Sequence, residues 1–341
     1  MRKLKIEKTK DSSSVERYLQ ELEKASKMGE KGFRFLMYEH LKRVFQTGDS
    51  NYVSDKQKLM YPKIVEAIEN HRKTRKFEYH RFFEAGHVAS SQAACFNLFL
   101  PIMISDHAAE VLACVKPDMK KIDDSRLDHG FCFEYWREEP LYAESSDKGL
   151  LNDHSKIYGT DADFAVSYID EDGEKCLWLI EHKLTETEFT RCNVYHNSKH
   201  SEERAVCDGL TFSELINEPD KCYYTWKRHF AYWSHTTNEL FPNINADKKG
   251  CPFKDGMCQL WRNVLLAEEA RKAYGYDKVF FSVAKPEGNT LLNDSIDRFS
   301  EIVKPDVFSV FNPRELFRAA NAFDDELLHD WRKWYAKVYL I

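Results

Sequence analysis

The sequence predicts an α/β protein in which helices flank a central sheet. Two strand-type segments joined by a turn lie between residues 159 and 186, and further strand-type segments lie at 131–136 and 278–284. Segments with helical spacing of apolar residues precede and follow them. This mixture of elements is typical of a sheet covered by helices.

Length and composition indicate one large globular domain, or one domain with an extension. Of the 341 residues, 43% are hydrophobic, which is enough for a sizeable core and argues against disorder. No apolar run approaches the roughly 18 residues of a membrane span, and the basic N-terminus lacks the apolar segment of a signal peptide. We therefore expect a cytoplasmic protein without membrane contact.

The charge balance limits how the chain could bind nucleic acid. Its formal net charge is −6, whereas dedicated duplex-binding domains are often basic. Any such contact would therefore depend on local patches. The clearest is His71–Lys76, followed by His80 and Arg81, and a solvated helix face is the simpler interpretation of it.

The N-terminal third is predicted to be mostly helical. A helix is expected from Tyr61 to Ile68, with Pro62 in its first turn. The longest helical region runs over 77–112, where Pro101 should kink or split it. Polar residues stand among apolar ones before this proline, and they serve either helix–helix hydrogen bonds or a functional site: Ser90, Ser91, Gln92 and Asn97.

Strand-type residues at 131–136 lead into the hairpin. Their alternation places Glu134 on the opposite face from Phe133 and Tyr135. The hairpin strands are predicted at 163–168 and 176–183. Between them, the sequence Asp170-Glu171-Asp172-Gly173 is a strong turn signal.

The end of the hairpin carries the most informative charges. Since side chains alternate along a strand, Glu181 and Lys183 share one face while His182 points to the other. Asp163 begins the partner strand, so the hairpin can bring a Glu, a Lys and an Asp together at one end of the sheet.

These residue types suit metal-dependent hydrolysis of phosphodiester bonds. Neighbouring carboxylates repel unless they are neutralised, and oxygen ligands that leave positions open to water and phosphate suit Mg²⁺. A lysine beside the metal can orient or help deprotonate the attacking water. The acid-x-Lys spacing also occurs at Asp118/Lys120 and Asp247/Lys249, but only Glu181/Lys183 follows an apolar strand with an acid-led partner.

The C-terminal half begins with an irregular stretch, 187–255. Its aromatic residues at helical spacing suit a core, or stacking on nucleic-acid bases: Tyr223, Trp226, Phe230 and Trp233. An amphipathic helix at 256–274 is expected to end at Gly275. Helices should also begin at Asn312-Pro313 and close the chain around Leu327–Val338.

Over residues 77–285 the chain resembles the PD-(D/E)xK nuclease superfamily, and within it a bacterial group described as restriction endonucleases. Three stretches carry the narrower resemblance: Ser90-Ser91-Gln92 with Asn97 and Pro101, 181–186, and 251–253 leading into 259–263. The resemblance implies a restriction-endonuclease-like αβββαβ core with a mixed central sheet. Helical additions would then occupy 1–76 and 286–341.

The resemblance assigns roles to residues of the hairpin. Asp163 and Glu181 would hold the metal and Lys183 would position the water. Ala162 stands where the motif name has a proline, and Asp161 is a rival ligand on the same strand face.

Residues outside the hairpin complete the implied site. A further acid is expected at Glu134, with Glu84 as second choice. Gln259 and Arg262, one turn apart on the later helix, resemble a polar pair that braces such sites or touches phosphate. The simpler alternative for this pair is a surface face.

The resemblance implies a Mg²⁺-dependent DNA endonuclease, with Mn²⁺ able to substitute, that restricts foreign DNA. A repair or processing nuclease of the same fold is one alternative. A non-catalytic DNA-binding protein with a decayed site is another. Cleavage of both strands would suit a homodimer with two sites.

Cysteine chemistry gives a last alternative. Some nucleases of this superfamily hold an iron–sulfur cluster with four cysteines, and this chain could draw on five: Cys192, Cys207, Cys222, Cys251 and Cys258. They lack the usual tight clustering, so neither a cluster nor a structural zinc is expected. The nine cysteines should be reduced thiols in a cytoplasmic chain.

Overall fold

A mixed sheet of six strands forms the centre of the molecule. The computed structural model describes residues 32–139, 148–155 and 159–339, so the part of the predicted N-terminal extension before residue 32 lies outside the described residues. The strands are β1 (Met119–Ile122), β2 (Phe131–Tyr135), β3 (Ala162–Asp170), β4 (Lys175–His182), β5 (Lys278–Ala284) and β6 (Phe308–Phe311).

Strands β3 and β4 form the predicted hairpin at the middle of this sheet. On its outer edge β3 pairs antiparallel with both β1 and β2, and on its inner edge it pairs antiparallel with β4. Strand β4 then pairs parallel with β5, and β5 pairs parallel with β6. The mixed sheet with flanking helices confirms the predicted α/β class, and it contains the four predicted strands. It adds β1 and β6 at the edges.

Helices cover both faces of the sheet. In chain order the α-helices of the described ranges are α1 (Gly32–Phe45), α2 (Val65–Arg75), α3 (Arg81–Glu84), α4 (Ser91–Met103), α5 (Ala108–Leu112), α6 (Asn193–His196), α7 (Ser201–Gly209), α8 (Phe212–Asn217), α9 (Tyr223–Arg228), α10 (Tyr232–His235), α11 (Cys258–Tyr274), α12 (Asn293–Ile302), α13 (Pro313–Ala319) and α14 (Glu326–Tyr339). Short 3₁₀ turns lie at Lys56–Leu59, Pro62–Ile64, Ser198–His200, Pro219–Lys221, Thr290–Leu292 and Ala320–Ala322.

Two hydrophobic cores lie on opposite faces of β4. Trp178 and Ile180 belong to the core that also contains α4 and α14, whereas Leu177 and Leu179 belong to the core that contains α8 and α11. Because both faces are buried, β4 is an unbroken apolar run up to Glu181. Glu181 and His182, the first polar residues after this run, therefore lie at the end of the part of β4 that the helices cover.

The predicted helical region at 77–112 continues through Pro101 and breaks elsewhere. Helix α4 contains Pro101, whose missing N–H leaves the carbonyl of Asn97 without its helical partner. The indole Nε1 of Trp331 donates to this carbonyl at 2.7 Å. The region breaks instead near Gly86, at φ +76°, a backbone conformation that glycine adopts without steric cost. It breaks again at 104–107, between α4 and α5.

Strand β2 departs from simple alternation at Glu134. Phe133 lies in the first core and Tyr135 in the second, so the prediction that they share a face is wrong. The cause is the backbone of Glu134, which has φ +52°. This left-handed conformation turns the strand over between its two neighbours.

The basic patch and the aromatic stretch each combine buried and exposed residues. His71 is buried and its Nδ1 lies 2.6 Å from Asp128 Oδ2, while Arg75 donates to the carbonyl of Arg137 at 2.8 Å. Trp233 is buried, whereas Trp226 is 59% exposed. The helix predicted from Tyr61 starts as the 3₁₀ turn at 62–64 and runs on to residue 75 as α2.

Among the described residues, none of the helices has the length and apolar character that a bilayer crossing requires.

Candidate active site

The predicted hairpin acids lie where β3 begins and β4 ends. Phe164 and Ile180 are register partners, so the preceding Asp163 and the following Glu181 emerge side by side. Asp163 is partly exposed, while Glu181 is only 3% exposed. The two carboxylates therefore stand at the boundary between the sheet core and solvent.

Four polar contacts hold Glu181 and its neighbours in place. Lys183 Nζ lies 2.7 Å from Glu181 Oε1, which places both side chains on the face predicted for them. From α11, Gln259 Nε2 donates to Oε1 at 2.8 Å and Asn263 Nδ2 donates to Oε2 at 2.9 Å. Gln259 Oε1 in turn accepts from the backbone N–H of Thr190 at 3.0 Å.

Asp163 has a separate anchor. Its Oδ2 accepts a hydrogen bond from the backbone N–H of His182 at 2.6 Å. Burial, together with the negative charges of Glu181 and Glu134, raises the pKa of Asp163 well above its usual range. Without a bound cation, ionisation of this carboxyl group is therefore energetically unfavourable.

Glu134 approaches the same cluster from β2. Its Oε1 accepts a hydrogen bond from Gln92 Nε2 of α4 at 2.7 Å, and Gln92 Oε1 accepts from the N–H of His80 at 2.9 Å. Burial and the charges of Asp161 and Glu181 raise the pKa of Glu134 well above its usual range. The left-handed backbone of Glu134 therefore serves to present a carboxylate to other carboxylates.

Asp161 and Arg262 lie on the outer side of the cluster. Loss of hydration and the charge of Glu181 raise the pKa of Asp161 to about 6, although the residue keeps an exposed surface. Arg262 Nη1 donates to Thr160 Oγ1 at 3.3 Å. Its buried Nε has no hydrogen-bond partner within the described ranges, so this guanidinium retains an unused donor close to the acids.

Lys183 is a permanent cation in this setting. Burial opposes its charge, but Glu181, Glu186 and Asp163 outweigh that effect and raise the pKa of Lys183 above its usual range. Burial likewise opposes the charge of Glu186, yet Lys183 and a hydrogen bond from Ser91 lower its pKa. Lys183 is therefore equipped to stabilise negative charge and to orient a water, and it is poorly suited to remove a proton.

Negative charge exceeds positive charge in the cluster. Four acids converge on it, namely Glu134, Asp161, Asp163 and Glu181, against Lys183 and the more distant Arg262. Separate hydrogen-bond partners hold the carboxylates of Glu134, Asp163 and Glu181. Among the described residues, trios of ligand atoms that all lie within 4.8 Å of one another occur instead at the β3–β4 turn, as Asp118/Asp170/Cys176 and Asp170/Asp172/Glu174.

Of the two further acids proposed from the sequence, Glu134 and Glu84, the structure places only the first in the cluster. Glu134 reaches the cluster. Glu84 is exposed, and its Oε2 pairs with Lys56 Nζ at 2.5 Å. Of the predicted pair on α11, Gln259 contacts Glu181, while Arg262 contacts Thr160.

Three residues that interact with the site were not assigned to it from the sequence: Gln92, Glu186 and Asn263. The signal for Asn263 was its position one turn after Gln259, which puts both on one helix face. Gln92 and Glu186 lie in stretches that carried the family resemblance, but nothing local distinguishes a site residue from a structural one there. Asn97 is the structural case, since it binds Tyr61, Leu59 and Tyr339.

Comparison with known proteins gives one family. A family model described as "Restriction Endonuclease associating with ARP" matches residues 18–340. Neither the curated proteins nor the solved structures contain a match to the chain.

Proposed function

The chain belongs to the family of restriction endonucleases associating with ARP, and from this premise we propose that it is a Mg²⁺-dependent DNA endonuclease. The observation that carries the proposal is the cluster at the ends of β3 and β4, where Glu181 binds Lys183 beside Asp163. Its substrate would be the phosphodiester bond of foreign DNA.

The residues present fit a divalent cation. The donor set consists of carboxylate oxygens, which Mg²⁺ prefers and Mn²⁺ also accepts. Asp163, Glu181 and Glu134 would hold the ion, and Asp161 offers a fourth carboxylate. Burial first, and then the neighbouring carboxylates, raise the pKa values of Glu134 and Asp163. A bound cation would oppose both effects by supplying positive charge.

The ion would supply Lewis-acid stabilisation of the phosphate and a more acidic bound water. The chain's own groups do the rest. Lys183, held as an ammonium by its acidic neighbours, orients the attacking water and offsets charge on the phosphate. As the water oxygen bonds to phosphorus, the P–O ester bond breaks, the attacking water releases a proton to solvent, and the leaving oxygen takes one up from solvent. Arg262, whose charge acts on Asp161, would offset negative charge on the phosphate.

The element order supports a restriction-endonuclease-like core for this site. Helix α4, strands β2, β3 and β4, helix α11 and strand β5 follow the αβββαβ order along the chain. Residues from five of these elements meet at the site: Gln92, Glu134, Asp163, Glu181 and Gln259. A cytoplasmic homodimer with two such sites would be suited to cutting both strands.

Plasmid cleavage in Mg²⁺ tests the proposal. The wild type should nick or linearise supercoiled DNA, and Lys183→Ala should lower the rate by about 10²- to 10⁴-fold. Lys175→Ala is the matched control, because Lys175 is an exposed lysine at the opposite end of the same strand. Equal cleavage by Lys183→Ala and wild type would contradict the proposed chemistry.

Substrate topology tests the restriction role separately. Closed circular DNA offers no ends, so an endonuclease should cut it, whereas an end-processing nuclease should degrade only a linear form of the same plasmid. Activity confined to linear DNA would replace restriction by processing while leaving the catalytic assignment intact.

A further inference from the structure

Five cysteines line one small cavity beside the nuclease-like site. Their sulfurs share it with apolar and aromatic side chains, and the thiols are Cys192, Cys207, Cys222, Cys251 and Cys258. All five are free of disulfide bonds. The surrounding rings include Tyr224, Trp233, Phe253 and Trp261. Cys207 and Cys258 are buried, and the other three thiols are partly exposed.

The fold, and no local motif, brings these thiols together. Cys192 and Cys222 immediately precede the short helices α6 and α9, and Cys207 lies within α7. Cys251 is in a loop, and Cys258 is the first residue of α11. The wide sequence spacing, which argued against a metal site, says nothing about this convergence.

Burial of cysteine as a small apolar residue does not explain this arrangement. The other buried cysteines of the described chain are dispersed: Cys95 contacts the carbonyl of Asp163, Cys132 that of Phe133, and Cys176 lies near Asp170. A dispersed pattern is what packing alone produces. Five thiols on one cavity are instead the soft ligand set that thiophilic metals select.

We propose that this cavity binds a thiophilic metal centre through four of its five cysteine thiolates. Its chemistry is that of Cys₄ sites, which hold either a zinc ion or an iron–sulfur cluster. The site is separate from the carboxylate cluster, which offers only hard oxygen ligands.

The sulfur positions favour the iron–sulfur form. Four ligands of one zinc ion crowd around a single point at about 2.3 Å, yet no three of these sulfurs lie within 4.8 Å of one another in the described chain. An iron–sulfur cluster distributes its four thiolates over more than one iron and so accommodates wider separations.

The centre would brace the nuclease-like site mechanically. Cys258 directly precedes Gln259, which donates to Glu181. Thr190, two residues before Cys192, donates its N–H to the same Gln259. Joining Cys192 to Cys258 would therefore fix both sides of the Gln259 side chain.

Metal analysis of the full chain, purified without oxygen, tests the proposal. We expect near-stoichiometric iron with acid-labile sulfide, or one zinc per chain, and these two results distinguish the forms of the centre. Four of the five single Cys→Ser variants should lose at least most of the metal. Cys114→Ser, which replaces an exposed thiol outside the cavity, should retain it.

Two outcomes would overturn the proposal: wild-type chain free of these metals, or cavity variants with wild-type metal content. The wild-type measurement stands even if a variant misfolds. Lys183→Ala should keep its full metal content, so the result is independent of whether the chain cleaves DNA.

Discussion

At the scale of single residues, Glu134 is the most informative position. A glutamate in the left-handed region within a strand costs about 1–3 kcal/mol, and here it also turns a carboxylate toward other acids. Packing gains nothing from either feature. Backbone strain combined with like-charge crowding is typical of sites where function, and not stability, selects the residue.

Replacing Glu134 by Gln should stabilise the metal-free chain increasingly as pH rises. The pKa of Glu134 is higher in the folded chain than the roughly 4.3 of an unfolded glutamate. The wild type is therefore fully stable below that unfolded-state pKa. It loses stability as pH rises through the folded-state pKa. The variant lacks this loss. Melting temperatures in EDTA should therefore diverge upward from about pH 4.5.

Glu78→Gln provides the control for that comparison, since Glu78 is an exposed acid outside the site. Its melting temperature should follow the wild type at every pH. A Glu134→Gln difference that is constant, or that shrinks with rising pH, would contradict the crowding of charge inferred for the cluster.

At the scale of elements, a hydrogen bond from α14 to α4 compensates for the proline inside α4. Pro101 withholds an N–H from the carbonyl of Asn97, and Trp331 of α14 supplies the replacement. A buried carbonyl left without a partner costs about 1–3 kcal/mol. The C-terminal helix therefore completes the hydrogen bonding of a core helix far from it in sequence.

A double-mutant cycle measures this dependence. Trp331→Phe should lower the free energy of unfolding through lost packing and the orphaned carbonyl. In a Pro101→Ala background the restored N–H serves that carbonyl, so the same Trp331→Phe change should cost about 1 kcal/mol less. Equal costs in both backgrounds, measured by urea unfolding, would show that the indole bond contributes nothing.

The sequence predicts those elements that local patterns define, such as apolar runs, turn residues and helix-ending glycines. The buried run before Glu181 and the turn at 170–173 locate the hairpin, and Gly275 ends α11 in the left-handed conformation. Strand β1 could not be found in this way, because Lys120 and Lys121 make a four-residue edge strand look like a loop. Edge strands need no buried second face, so they leave little pattern.

The same distinction applies to the candidate site. Glu181 and Lys183 follow from alternation on one strand, and the structure brings them to 2.7 Å. The turning of β2 at Glu134 has no sequence signature, because a left-handed glutamate is stabilised only by surrounding tertiary contacts. The convergence of cysteines from five elements is likewise a product of the tertiary fold.

At the scale of the whole molecule, two acidic clusters could attract a divalent cation. The cluster at the β3–β4 turn is the tighter one, with Asp170, Asp172 and Glu174 within 4.8 Å. However, Lys278 Nζ lies 2.8 Å from Asp170 and also pairs with Glu174. The central cluster is less compact but more buried, and its charge is less completely neutralised.

Mg²⁺ should therefore stabilise the chain through the central cluster. Ligand binding to the folded state adds about 2.7 kcal/mol at a hundred times Kd, so the melting temperature should rise with Mg²⁺ concentration. Asp163→Asn keeps the shape of the side chain and should abolish most of that rise. Asp172→Asn removes an exposed acid from the turn and should leave the rise unchanged.

The reverse pattern would place the cation at the turn. It would mean that the three carboxylates there attract the cation more strongly than Lys278 neutralises them. It would also remove the metal from the proposed nuclease site.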